Sequence, residues 1–413
     1  ALAKVRAFKP QELANVAWAY AALNQREVGL FSAVVRACIT ILEGFDATQP
    51  TTCGLPPIEF AWFLLAILWA FARVGLLDLG GPFLALARPA LLKIGRALDT
   101  SQAARPMALH ARARAPGAAA SGPQLDDPEC VVDLGDRMVV QKPPGWEVDI
   151  GRVRPDGAPG DGPAAPRSFS RLSAFIRASL PKRCWPIIAD ACHRLGFLHR
   201  LDVPGSGLIA VAKSYEAFYD LQWQLHAGEL FRDYIGLCHG WLPPGGRALD
   251  GRVWWLADET SPGQVSNRGR PARTFLTVSA HTSLRSAPDR FSVVALRIDT
   301  GRTHQIRIHM AHAGHPIACD GKYAGYGTSG TDAEWCPRNF LHRHRLVLRG
   351  GAGTPTREVA APLPHDLAHA LAGLTARDAP SAEACGRWCA GFTPQALDWS
   401  GRPRVVRRPF RAR

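Results

Sequence analysis

The run His199-Arg200-Leu201-Asp202-Val203-Pro204-Gly205-Ser206-Gly207, continued by Leu208-Ile209-Ala210-Val211-Ala212, decides how this chain is read. Its second half is apolar and bounded by Pro and Gly, the pattern of a buried strand entered from a tight loop. Asp202 therefore stands on a rigid bend at the edge of a strand, a suitable place for a reacting carboxylate. Arg200 lies two residues before it, and a second basic run, Gly301-Arg302-Thr303-His304-Gln305-Ile306-Arg307-Ile308-His309, lies further along. A carboxyl with guanidinium groups within a few ångströms stays ionised at neutral pH, because the opposite charge favours its charged form.

The first run resembles the HRLD…SGL motif of the RluA-type pseudouridine synthases, and the second resembles their GRTHQIR.H motif. Three further stretches follow the family in order: Gly135-Asp136-Arg137-Met138-Val139-Val140-Gln141-Lys142-Pro143-Pro144-Gly145, Arg232-Asp233-Tyr234-Ile235-Gly236-Leu237-Cys238-His239-Gly240 and Gly269-Arg270-Pro271-Ala272-Arg273-Thr274. The resemblance covers residues 130 to 367. It implies an α+β fold with a mixed, mostly antiparallel sheet, and an enzyme that isomerises uridine to pseudouridine in ribosomal or transfer RNA with no metal or other cofactor. By the same resemblance Asp202 is the essential aspartate, Arg307 the basic residue that pairs with it, and Tyr234 the tyrosine that stacks on the target base and can take its C5 proton. Arg200 would contact RNA and help to displace the base, since chemistry inside a helix requires flipping it out. His199, Leu201, Arg302, Thr303, His304 and Gln305 complete the expected substrate-binding set, and the strand 208 to 212 is expected to wall the base with Leu201. Where the family carries Thr before the Ser-Gly, this chain has Gly205.

Composition agrees with an RNA partner. The 413 residues carry a formal charge of +14 and are 47% hydrophobic, so the chain is globular and suited to a polyanion. Solubility, or an Arg-rich codon bias, is the bland reading of the same charge. Ten cysteines lie scattered, with Cys385 and Cys389 as an isolated C-x-x-x-C, which points to free thiols rather than a disulfide framework or zinc site. His304, His309, His312 and His315 cluster, but without acidic or thiol ligands at metal spacing they are expected to be hydrogen-bonded or to face RNA. Gly325 to Gly330 fits G-x-G-x-x-G with neither a strand before it nor a helix after it, so no dinucleotide site is expected. A metal-dependent RNA hydrolase is disfavoured because no second carboxylate accompanies Asp202. A synthase fold that is idle and only binds RNA is the competing class.

Before the synthase-like region, Leu13, Val16, Ala17 and Tyr20 fall at helical spacing after Pro10-Gln11-Glu12, and Phe31, Val34, Val35, Cys38, Ile39 and Leu42 repeat the pattern. A further helix opens at Pro57 and contains Leu68-Trp69-Ala70-Phe71-Ala72, an echo of Trp18-Ala19-Tyr20-Ala21. The phrase PQELANVAWAYA is similar to octotricopeptide and FAST-kinase-like helical repeats, which bind organellar RNA; the alternative is a helical hairpin that packs on the catalytic domain. The apolar run Phe60 to Ala72 is bracketed by Glu59 and Arg73 and is shorter than the ~20 residues that span a bilayer, so it is expected to be a core helix rather than a membrane segment. The expected organisation is a helical module over 1–99, a flexible linker over 100–128, a catalytic domain over 129–370 with a surface insertion at 151–168, and a basic tail over 371–413. Thr303 is expected to cap a helix carrying Arg307. No targeting peptide is visible in the given residues; the protein is expected inside the cell, with an organelle suggested by the repeat resemblance.

Overall fold

The computed structural model describes residues 5, 8–45, 55–101, 126–149, 170–255, 262–285, 289–351, 354–391 and 405–406. Four helices open the chain: α1 (Pro10–Ala22), α2 (Val28–Glu43), α3 (Pro57–Val74) and α4 (Gly81–Ser101). Pro10 at the first position suits α1 because its missing N–H has no partner there anyway, and the Glu12 carboxylate closes back on the Lys9 N–H at 2.8 Å. Gly75, in the left-handed region at φ 69°, ends α3. By length and composition α3 could cross a membrane, but Phe60, Phe63, Leu64, Ile67, Leu68 and Phe71 are buried within the protein. The sequence reading of a core helix therefore holds.

The rest of the chain supplies β1 (Glu129–Asp133), β2 (Arg137–Lys142), the short parallel pair β3 (Trp146–Glu147) and β4 (Ser170–Arg171), α5 (Leu172–Ser179), β5 (Ser206–Ala212), α6 (Tyr215–Ala227), β6 (Phe231–His239) and β7 (Gly246–Trp254). These are followed by β8 (Gln264–Val265), β9 (Arg270–Ser283), β10 (Arg290–Ile298), α7 (Gln305–His312), α8 (Tyr326–Asp332), β11 (Leu341–Arg349), β12 (Thr356–Ala360), α9 (His365–Ala372), β13 (Thr375–Ala376), α10 (Ala379–Cys389) and β14 (Val405–Val406). The main sheet runs β1-β2-β5-β11-β6-β10-β9-β7-β14. Along it the pairings are antiparallel except β5 with β11 and β7 with β14, which is the mixed, mostly antiparallel α+β sheet expected from the sequence.

Both faces of the sheet are covered. On β10, Val294, Leu296 and Ile298 join the core shared with α1–α4 and α6, whereas Phe291 and Val293 join a second cluster with α9 and α10. The alternation along 291 to 298 thus serves two cores, as a strand with both faces buried requires. The four N-terminal helices are not a separate module: one hydrophobic cluster runs from Leu13 and Phe31 through to Leu208 and Tyr234. Polar contacts fasten the same junction. Asp99 accepts from the Tyr215 and Glu216 N–H groups at 2.9 and 3.0 Å, which satisfies the N-terminus of α6.

Gly207 fixes the centre of the sheet. Its φ is +124°, and a Cβ there would lie 2.3 Å from the Arg343 carbonyl oxygen. That space lets β11 pair with β5 through His342↔Ser206 and Arg343↔Gly207, and so carries the Arg343 side chain to the Asp202 loop. Gly207→Ala is expected to lower stability by more than about 3 kcal/mol, from a steric clash plus a disfavoured backbone region. Thermal unfolding of the variant beside wild type checks this.

Three expectations are corrected. Residues 371–391 are not tail: Asp378 caps α10 by accepting from the Ser381 N–H at 2.8 Å, and Ala384 and Trp388 are buried in the second cluster. The Asp378-Ala379-Pro380 start was a helix signal masked by the basic composition that follows. Thr303 does not cap α7; His304 precedes the helix at φ 52° with no side-chain cap, and the Gln305 amide closes the turn instead. A short helix, α8, does follow Gly325. The linker residues 102–125, the insertion 151–168 and nearly all of the basic end lie outside the described residues.

Candidate active site

Asp202 is presented by a loop pinned from three sides. From β2, the buried Lys142 ammonium donates to the carbonyls of Pro143, Trp146 and Val203 at 2.9, 3.0 and 3.2 Å, and the Gly145 N–H also donates to Val203. From β11, Arg343 donates to the Leu208 and Arg200 carbonyls at 2.9 and 3.1 Å and to His199 Nδ1 at 2.7 Å. Below it, Arg338 donates to the Pro204 carbonyl at 3.2 Å and the Ser206 hydroxyl at 3.0 Å while a carboxylate, Asp366, holds it in place. The Asp202 backbone is therefore set by cations reaching in from strands and loops remote in sequence.

Its carboxylate meets Arg307. That guanidinium makes a two-pronged pair with Asp320, both bonds 2.7 Å, and turns its remaining nitrogen to Asp202 Oδ2 at 3.0 Å. Asp320 is fully buried and Asp202 16% exposed, so the arginine is anchored in the core and aimed at the surface-facing acid. Such a fork-to-fork pair fixes orientation as well as charge. Arg307 also lies over the Tyr323 ring at 5.0 Å, and the Tyr323 hydroxyl meets His304 Nδ1 at 3.0 Å. His304 brings Nε2 to 3.7 Å from Asp202 Oδ1, with Trp255 edge-on to its ring.

Electrostatics keep this acid ionised. Burial alone raises the Asp202 carboxyl, but His304, Arg307 and Arg200 together outweigh it and hold it below the ordinary carboxylate range. Burial, only partly opposed by Asp202, pushes His304 down to about 4. The imidazole is then neutral at pH 7, so the lasting counter-charge for Asp202 is Arg307. For Arg307 itself burial disfavours the charge, yet the Asp320 hydrogen bonds and the Asp202 charge leave it above its usual value. Lys142 is lowered to about 7, chiefly by burial and then by Arg338.

All ten sequence-predicted residues line one narrow cleft of about 60 Å³: His199, Arg200, Leu201, Asp202, Tyr234, Arg302, Thr303, His304, Gln305 and Arg307. Their functions divide more sharply than the motifs suggest. The Gln305 amide accepts from the Thr300 hydroxyl and the Arg302 N–H and donates to the Arg273 carbonyl and Thr274 Oγ1, so it braces the loop beneath the cleft. His199, 7% exposed, accepts from Arg343 through Nδ1, which places its proton on Nε2. Tyr234 is 3% exposed, has Arg343 over one ring face at 4.9 Å, and accepts a short hydrogen bond from the same guanidinium. The apolar walls are Leu201, Ile298, Ile306 and Leu341; the strand 208 to 212 is wholly buried and does not line the cleft.

Sequence reasoning missed Arg343, Asp320 and Arg338, and gave Lys142 no role. For Arg343 a signal existed: Leu341-His342-Arg343-His344-Arg345 reads as a strand, and a buried strand rich in cations must satisfy them inside. Asp320 lacks any such mark.

A family model described as RNA pseudouridylate synthase matches residues 138–312. The ribosomal large subunit pseudouridine synthase D of Xanthomonas campestris pv. campestris is 32% identical over 259 residues, 60% of this chain and 70% of the relative. The protein of the same name from Xylella fastidiosa is 33% identical over 246 residues, 57% of this chain and 66% of the relative. That from Yersinia pestis is 33% identical over 207 residues, 49% of this chain and 54% of the relative. The chain thus spans between about half and two thirds of the length of these last two curated relatives. Among solved structures, Human RNA Pseudouridylate Synthase Domain Containing 1 aligns at 21% identity with a TM-score of 0.46, over 67% of this chain and all of that one. With three of the five motifs lining one cleft and about a third of the aligned residues shared with curated relatives, the chain belongs to the RluA-type RNA pseudouridine synthase family.

Proposed function

We propose that this chain isomerises uridines in ribosomal RNA to pseudouridine, with Asp202 as the group that acts on the sugar. The observation that carries the reading is the ionised Asp202 held by Arg307, itself locked to buried Asp320, at the mouth of a cleft walled by Leu201, Ile298, Ile306 and Leu341. Ribosomal RNA is favoured over transfer RNA because the curated relatives are named for the large ribosomal subunit.

The reaction breaks the bond between ribose C1′ and uracil N1, turns the base, and joins C1′ to C5. The C5 proton leaves and N1 ends protonated, so the step is an isomerisation. Asp202 serves either by attacking C1′ or by taking a sugar proton to give a glycal; both need the charged carboxylate and a face shielded from water. Arg307 keeps it charged without quenching it, since two of its three guanidinium nitrogens are engaged by Asp320. In this reading the Tyr234 oxygen receives the C5 proton, which requires it to carry negative charge before the transfer, and the Arg343 guanidinium beside that oxygen stabilises such a charge. Arg200 and Arg302 supply cations at the rim for the phosphates that flank a flipped nucleotide.

Pseudouridine mapping of total RNA from cells expressing wild type or Asp202→Ala tests the reading. A discrete set of ribosomal uridines modified only with wild type is expected. Identical maps, with the protein still crosslinked to RNA, would leave an idle RNA-binding protein. A pH series adds a second check. Asp202 sits below the ordinary carboxylate range and His304 near 4, so neither changes charge between about pH 5 and 8. The enzymatic kcat/KM is expected to lose nothing to these two groups across that window and to fall below it as Asp202 is protonated, while Lys142, near 7 and a pin of the Asp202 loop, is a group that changes charge inside it.

A further inference from the structure

A second concavity of about 730 Å³, within the range of ligand sites, opens where the N-terminal helices meet the sheet edge. The end of α1 and Arg73 form one wall; β7, β9 and the C-terminal half of α7 form the other. Its charge is one-sided. Arg73, Arg247 and Arg252 line it, and among the described residues the lining acid is Asp250, already shared between Arg73 at 3.1 Å and Arg273 at 2.9 Å. Arg252 donates to the carbonyls of Gly269 and Ala22, and Arg247 to that of Pro243, so these hydrogen bonds fix the side chains without neutralising them.

The groove adjoins the catalytic cleft. Helix α7 is the wall between them, with Arg307 facing the cleft and His309 and His312 lining the groove. At the rim, Arg302 of the cleft donates to the carbonyl of Pro271, a groove residue, at 3.1 Å. Burial and the nearby Arg270 and Arg73 lower Arg302 to about 10, as expected where cations crowd without carboxylates. A chain of phosphates satisfies such a row best, because each contact releases bound counter-ions.

We propose that this groove is a second RNA-binding site, built jointly by the N-terminal helices and β7–β9, that holds single-stranded RNA flanking the target uridine as it runs out of the cleft. The inference rests on the RNA-directed reading of the cleft, while assigning a site beyond it. Peptide acids would match the same charge, but continuity with the cleft favours the RNA strand.

The test uses the full chain, a fluorescein-labelled 20-nucleotide oligouridylate and a 5-nucleotide oligouridylate too short to reach beyond the cleft. Arg247→Glu with Asn267→Glu places acids at partly exposed and exposed groove positions that pack no core. Expected is an approximately tenfold or greater loss of affinity for the 20-mer, a shallower salt dependence, unchanged 5-mer affinity, and recovery with Arg247→Lys alone. Unchanged 20-mer affinity would overturn the proposal. So would equal losses on both oligomers, or a wild type that binds polyglutamate and not the 20-mer. Pseudouridine formation is read separately: an inactive chain showing the expected binding pattern would sink the enzyme reading and leave the groove standing.

Discussion

Asp202→Asn is expected to yield a folded protein that binds RNA and forms pseudouridine at least about 10⁴-fold more slowly than wild type. Asparagine keeps the size and can still accept from Arg307, but has no charge with which to attack C1′ or take a sugar proton. The fold is spared because Asp202 supports little else: its carboxylate meets one nitrogen of Arg307, and that guanidinium retains both bonds to Asp320. The loop is held through backbone carbonyls by Lys142, Arg338 and Arg343, none of which the substitution touches. Single-turnover rates at saturating RNA, with circular dichroism and RNA affinity alongside, check all three parts. A large loss of affinity or of folded signal would mean that Asp202 is a brace rather than a reactant.

Arg307→Met is expected to harm both stability and rate. It removes the partner of two carboxylates, one of them fully buried, and breaking a buried pair from one side costs about 3–5 kcal/mol. The Lys322 N–H still donates to Asp320 at 3.1 Å, which is too little to stand in for a guanidinium. With its main counter-charge gone, the Asp202 carboxyl rises. The acid side of the rate profile therefore moves to higher pH, and activity at pH 7 falls by about 10²–10³-fold. Arg307→Lys is expected to restore less than half of the lost stability, because a single ammonium cannot serve two acids on opposite sides. Thermal unfolding and a pH–rate series on both variants test this; an unshifted acid limb in Arg307→Met would remove Arg307 as the group that keeps Asp202 charged.

The parts of this molecule that were legible in sequence are those written in short local patterns. The Pro-Gly entry to the 206–212 strand, the alternation along 291–298 and the helical spacing of Leu13, Val16, Ala17 and Tyr20 each reflect one element meeting one environment. The expected site residues were carried by three contiguous motifs, at 199–207, 232–240 and 301–309, which the fold brings to the same cleft. What stayed hidden depends on long-range pairing. Arg343 reaches Asp202's loop because β11 lies beside β5, a parallel contact of two residue pairs that no periodicity announces. Asp320 does its work from a turn after α7, where its sequence neighbours look like any Gly-Lys-Tyr loop. The bracing contacts of Gln305 stayed hidden for a related reason: the motif brings it to the cleft lining, while the hydrogen bonds of its amide to Thr274 and Thr300 come from the fold. The N-terminal helices looked separable because composition breaks at 100–128, yet burial ignores that break, and Asp99 and Phe31 belong to the same packed body as α6 and the sheet.

The most direct test of the central claim follows the hydrogen at uracil C5. When C1′ is rejoined to C5, that hydrogen must leave. Ribosomal RNA carrying tritium at C5 of uridine is incubated with the purified chain, and tritium released to water is compared with pseudouridine formed. Equal amounts from wild type and none from Asp202→Asn are the result this account predicts. No release from a wild-type protein that binds the RNA, or the same release from both proteins, would contradict it.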